Sequence, residues 1–375
     1  MLLPNPILQH IFSYLNYPER WQVARVCRQW YWMIHDPYLY QHLCFQDLEL
    51  KALLVSLQKI IRIAPRPKSI RFQHCYSSFI QDTLIPVSFS RCDAPPLYTH
   101  IRHLQPAERR QQYQAYGFDT VHQAFSDQFA KLMQLGPVRS LSVIGCDLDL
   151  GLTEFFSTLI CNGHALERFR YEANGDAGID SGQMLQTLIL ATPHMRHFLG
   201  LHAGLDDRVL ATVVRRWPHL RSFTLAEDRP GAISPRALWA LLSGCRELKT
   251  VELVDLACLI NRELAVEREP LRSIERLRVT KYVTMPLSLA GFVDLLRLFP
   301  NLNRLEYETN FNTFDNQFEG VTLDLFEKER RCVEDYVTHQ GLDYHGQWYQ
   351  PMTHQQYLLA GLLRQLDMIP SSSSS

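Results

Sequence analysis

The chain has 375 residues, 46% of them hydrophobic and 21% charged, the balance of an ordinary globular protein. Its 38 basic and 39 acidic side chains leave a net charge of −1, so no bulk field draws it to nucleic acid or an anionic membrane. No apolar run reaches the ~18 residues of a membrane span. Nine cysteines without a C-x-x-C or a disulfide-like spacing point to reduced thiols in a cytoplasmic or nuclear setting.

The opening segment, "LLPNPILQHIFSYL", fails as a signal peptide: it lacks a basic leader, and Gln9, His10 and Ser13 interrupt its apolar block. Asn5-Pro6 predicts a helix start, with Asn5 as the cap and Pro6 at the first helical position. Behind it Ile7, Leu8, Ile11, Phe12 and Leu15 form a single helical stripe. Asn16-Tyr17-Pro18 breaks that helix. A second helix is expected through "PERWQVARVCRQWYWMI", with Trp21, Ala24, Cys27, Trp30 and Ile34 on one side, ended by Asp36-Pro37. So few short helices cannot cover all of this apolar surface by themselves. Burying the five stripe residues is worth about 8–15 kcal/mol gross, so a partner is expected to cover them.

In order and spacing, Leu3-Pro4, Ile7-Leu8, Ile11-Phe12-Ser13-Tyr14-Leu15, Val26-Cys27-Arg28, Trp30 and Asp36-Pro37 resemble the F-box family. The resemblance covers residues 2 to 43. Pro6 stands where that family usually has Glu, Trp21 where Leu is common, and Tyr40 in place of the final Trp. The resemblance implies binding to the Skp-type adaptor of Skp–cullin–F-box (SCF) ubiquitin ligases, and through it to a cullin. Leu3, Pro4, Ile7, Leu8, Ile11, Phe12 and Leu15 would face the adaptor, with Val26, Cys27 and Trp30 split between adaptor and internal core.

Much of the remaining chain repeats. A loose L-x-x-L-x-L starts at Val138, Leu166, Met195, Leu220, Leu248, Ile274 and Leu302, at intervals of about 25–29 residues, and an outlying copy is "PKSIRFQHC". Helical stretches such as "DDRVLATVVRRW", "PRALWALLSGC" and "SLAGFVDLLRLF" lie between. This predicts an α/β fold: a small helical F-box, then a curved leucine-rich-repeat solenoid with a parallel inner sheet. Cys75, Cys146, Asn174 and Asn310 occupy the Cys/Asn slot that satisfies backbone groups of the stacked turns. Cys245 precedes Leu248 by three, as in the cysteine-containing subtype. Gly200 replaces an apolar anchor, and Leu256 and Tyr282 fill Cys/Asn slots.

The expected organisation is an F-box over 1–45; a linker helix, first degenerate repeat and insertion over 46–136; and repeats over 137–310. A C-terminal repeat or cap region over 311–370, with helices near 324–338 and 353–367, precedes a serine tail at 371–375. Residues 76–136 are either a long insertion carrying one helix, "TVHQAFSDQFAKLMQLG", or degraded repeats.

Arg168, Arg170, Arg276, Arg278 and Arg304 fall between strand anchors and therefore on the outward face. With Leu199 and Leu201 they form the candidate substrate face, suited to an acidic or phosphorylated segment. Glu172, Glu252, Glu306 and Glu308 share it. His194, His197 and His202 have no acidic or thiol neighbour close in sequence to complete a metal site, and His100 and His103 are read the same way. Neither G-x-S-x-G, a P-loop nor a dinucleotide glycine pattern occurs. The chain is therefore expected to be a non-catalytic adaptor without a cofactor, receiving a protein substrate for an SCF ligase. The alternative is an F-box scaffold that promotes no ubiquitin transfer.

Overall fold

The computed structural model describes residues 4–15, 17–75, 118–146, 152–173, 178–201, 203–226, 231–254, 269–281, 296–309 and 323–348. The expectations for Leu3, most of the 76–136 segment, His100, His103, Asn174, His202, Asn310, the helix near 353–367 and the serine tail lie outside them. The chain divides into two compact units, Met1–Phe223 with Gly244–Glu247, and Thr224–Ser243 with Leu248–Ser375. Each is taken by itself.

The first unit begins with helix α1 (Asn5–Ser13). Its cap is Pro4 rather than Asn5, whose Oδ1 instead accepts from Gln29 Nε2 at 2.7 Å. Pro6 in the first turn costs nothing, because those N–H groups have no partner inside the helix. The single second helix expected from the sequence is two, α2 (Tyr17–Val23) and α3 (Arg28–Ile34). Cys27 causes the break: its backbone is extended (φ −157°, ψ 167°) and its sulfur accepts the Trp30 N–H at 3.5 Å, capping α3. Asp36 then caps the short 3-10 turn Pro37–Tyr40, accepting from the Tyr38 N–H at 2.9 Å and from Gln9 Nε2 at 2.7 Å.

Strand β1 (His42–Gln46) follows at once, parallel to β2 (Ser69–Gln73), with α4 (Leu50–Ile63) as the crossover. Leu50, Leu53, Leu57 and Ile60 are the buried stripe of α4, and its C-cap Ala64 adopts the left-handed conformation just before Pro65. Tyr40, Leu43 and Phe45 are buried at the repeat's own spacing, so the first strand of the array comes directly after the helical segment. This strand is not among those expected from the sequence.

After α5 (Phe118–Gln134) the unit continues with β3 (Ser140–Cys146), α6 (Leu152–Asn162), β4 (Arg168–Ala173), α7 (Gly178–Ala191), β5 (His197–Leu201) and α8 (Asp207–Arg216). β1 to β5 pair in chain order, all parallel, as strand–helix–strand crossovers require. β2 is hydrogen-bonded to β3, and α5 is the helix expected in the described end of the 76–136 segment. An aromatic spine fills the core: Phe45 on Phe72 (5.4 Å between ring centroids), Phe72 against Phe129 (5.7 Å) and Phe129 on Phe155 (5.2 Å).

β6 (Ser222–Ala226) lies across the division between the units. The second unit holds most of α9 (Pro235–Gly244), then β7 (Thr250–Val254), β8 (Arg276–Lys281), β9 (Arg304–Thr309), α10 (Leu323–Gln340) and β10 (Asp343–Trp348). β7–β8, β8–β9 and β9–β10 are all parallel. α10 agrees with the helix expected near 324–338, and "DYHGQW", within the expected repeat or cap region, is a further strand.

Every first anchor sits just before its strand, and none is more than 7% exposed: Val138, Leu166, Met195, Leu220, Leu248, Ile274 and Leu302. The fold is thus a helical N-terminal segment followed by parallel strands alternating with helices, as the repeat pattern implies.

Candidate functional site

The apolar stripe of α1 divides in two. Leu8 and Phe12 are buried within the unit, Phe12 packing edge-on against Trp30 with centroids 5.3 Å apart. Ile7 and Ile11 remain 48% and 44% exposed, and Val26, in the turn between α2 and α3, is 64% exposed. Pro4 and Cys27 are exposed, while Leu15 and Trp30 are half-buried. The expectation that the whole stripe faces a partner is corrected accordingly. A nine-residue helix resting on its neighbours has an inner and an outer side, and the inner side already takes Leu8 and Phe12.

Arg20, which no sequence pattern singles out, holds this small helical cluster together. The residue is 8% exposed, and its guanidinium donates to the carbonyls of Leu39 (2.6 Å), Leu15 (2.9 Å) and Ser13 (3.2 Å). It also lies 5.5 Å from the Tyr40 ring centroid. Burial lowers its pKa, with Tyr40 opposing. Beyond the sequence-predicted residues, Tyr14, Trp32 and Tyr38 are strongly exposed aromatics on the same segment. Tyr14 lies inside the resemblance without a role of its own, and Trp32 and Tyr38 lie beside it, so nothing distinguished them.

On the strand face, most of the expected arginines are neutralised. Arg170 donates to Glu172 at 2.8 Å, and Arg304 to Glu306 at 2.8 Å with Asp343 at 3.9 Å. Arg278 is shared by Glu308 (3.0 Å), Glu252 (3.5 Å) and Glu306 (3.8 Å). Burial alone would lower its pKa, but the Glu308 hydrogen bond and the three carboxylates hold it above the ordinary value. Arg168 and Arg276 are exposed and have no ion pair among the described residues. Leu199 and Leu201 are half-buried.

The buried cysteines do structural work. Cys75 donates to the Phe45 carbonyl and Cys146 to that of Ile144, at 3.7 and 3.5 Å. The contact between the two thiols, with burial, keeps Cys146 protonated. Cys245 is pushed up to about 11 by burial. His194 is exposed and His197 half-buried, and among the described residues no cluster of His, Cys, Asp and Glu is arranged to hold a metal. No helix among them is long and apolar enough to cross a membrane.

Comparison with protein-family models finds a match to the F-box-like family over residues 1–46. The match contains α1 to α3, the 3-10 turn and all of β1. A search of curated proteins finds no match to the chain.

Proposed function

We propose that the chain is the substrate-receiving subunit of an SCF-type ubiquitin ligase, docking a Skp-type adaptor through α1 and the α2–α3 turn. The observation that carries this reading is the outer apolar side, Ile7, Ile11 and Val26, left uncovered on a segment that matches the F-box-like family. Solvent-exposed branched side chains on so short a segment are what an adaptor would bury. The strands then present a protein substrate, and the transfer chemistry comes from other subunits. Holding acceptor and activated ubiquitin together is the contribution of this chain. The setting proposed with this role is the cytoplasm or nucleus.

The test is co-purification of the full chain with a Skp-type adaptor and a cullin. Ile7→Asp with Ile11→Asp is expected to release both while leaving the melting temperature within a few degrees, because these side chains are already in water. Full retention of the adaptor by that variant would discard the reading. Adaptor capture without cullin would reduce the role to a scaffold.

A further inference from the structure

The positive charge of the chain is carried almost wholly by arginine, and the fold does not ask for that. Of its 38 basic residues 31 are arginines and 7 are lysines, although lysine is ordinarily among the commonest residues. Residues 1–50 and 132–248 contain 14 arginines and no lysine. Those two stretches hold α1 to α3, β1, and β3 to β6 with α6 to α9. Some of their arginines are fixed by contacts. Arg20 serves three carbonyls at once and Arg170 grips Glu172, tasks that suit a planar fork. Others do nothing that an ammonium would not do. Arg196 and Arg208 are exposed and have no ion pair among the described residues. Arg215 and Arg216 close the last turn of α8, where a helix end favours any cation. Lysine also matches arginine as a helix former.

We infer that these stretches exclude lysine because it would act as a ubiquitin acceptor, so that a ligase built on this chain modifies the protein it holds and not its own receptor. This rests on the proposed role in a ubiquitin ligase. In that transfer an unprotonated lysine Nζ attacks the carbonyl carbon of the thioester between the ubiquitin C-terminus and a conjugating-enzyme cysteine. The C–N bond forms, the C–S bond breaks, the cysteine thiol leaves and the amine proton passes to solvent. Proximity drives the step, so lysines of the receptor compete with those of the bound protein. A guanidinium, with an ordinary pKa above ~12, stays protonated and delocalised, so it keeps the charge and cannot attack. Four lysines fall between the two stretches: Lys51 and Lys59 on α4, Lys68 before β2 and Lys131 on α5, all exposed. They mark the surface of the first unit left open to self-modification.

The test reconstitutes ubiquitin transfer on the full chain with a Skp-type adaptor, a cullin–RING module and a charged conjugating enzyme, and no other acceptor protein. The chain is compared with its Arg196→Lys/Arg208→Lys/Arg216→Lys variant, and ubiquitin remnants on lysine are mapped by mass spectrometry. The variant should melt within a few degrees of the parent. It should carry remnants at all three new lysines, raising total self-modification severalfold. A large fall in melting temperature would show that the fold needs these guanidinium groups, and overturns the inference without touching the ligase role. An assembly that discharges ubiquitin to free lysine yet leaves the three new lysines unmodified also overturns it, since the excluded acceptors were never within reach. Failure to bind adaptor and cullin, or to discharge ubiquitin at all, overturns the proposed role and the inference with it.

Discussion

The guanidinium of Arg20 donates to the carbonyl oxygen of Leu39 across 2.6 Å, tying α2 to the turn that leads into β1. The same group reaches Leu15 and Ser13, so one side chain satisfies the end of α1 and the 3-10 turn together. Arg20→Met should cost about 3 kcal/mol in urea denaturation of the full chain, because it strands buried carbonyls. Arg20→Lys should recover only part, since an ammonium lacks the planar fork. A loss below ~1 kcal/mol for Arg20→Met would show that water replaces those bonds.

Adjacent residues of α1 should behave oppositely. Leu8, 4% exposed, should cost about 2–5 kcal/mol when cut to Ala. Ile7→Ala should stay within about 0.5 kcal/mol, as surface substitutions do. Thermal melts of the two variants decide whether the stripe is divided as described.

Gly200 occupies an anchor slot where β1 to β4 and β6 to β9 carry a large apolar side chain. A Cβ there would lie 2.7 Å from the Phe198 ring and 3.0 Å from Ala203 Cβ. Restoring the repeat pattern with Gly200→Leu should therefore destabilise the chain, by about 1–3 kcal/mol or more. A stabilised variant would refute this packing argument.

Thiol reactivity should follow burial. Cys27, Cys44 and Cys161 are exposed and should alkylate in the native chain at neutral pH. Cys75, Cys146 and Cys245 should resist until unfolding, burial having raised the Cys245 thiol to about 11. Peptide mapping after brief iodoacetamide treatment reads the two classes directly.

His197 should add an acid-side slope to stability. Its folded pKa is below the ordinary value, so the folded chain binds fewer protons than the unfolded one. The contribution is whole above pH ~6.5 and is lost as the pH falls below that. His197→Gln should flatten this part of the melting-temperature profile between pH 7 and 5.

The repeat was readable because each of β1 to β9 buries the same three positions, and burial restricts residue type strongly enough to leave a period. Tyr40, Leu43 and Phe45 carry that same spacing, and Tyr40 lies about one period before Pro67. β1 went unseen because its residues had already been assigned to the end of the F-box resemblance. β10 was hidden by chemistry: Gly346 pairs with Tyr307, so an apolar anchor is missing where the pattern needs one. The break at Cys27 was illegible because helix periodicity continues across it, and only the cap geometry reveals the stop. On the strand face, residue types alone placed arginines and glutamates together. Which arginine meets a carboxylate among the described residues depends on register and reach, as the contrast between Arg278 and Arg168 shows.

β1 belongs both to the family-matched segment and to the parallel sheet. A joint made of ladder hydrogen bonds cannot swivel like a linker. Under the proposed role, a protein gripped at α1 and one held on the sheet of the same unit would keep a constant bearing, as if bolted to one bracket. Any slack that role needs would then come from the bound proteins themselves.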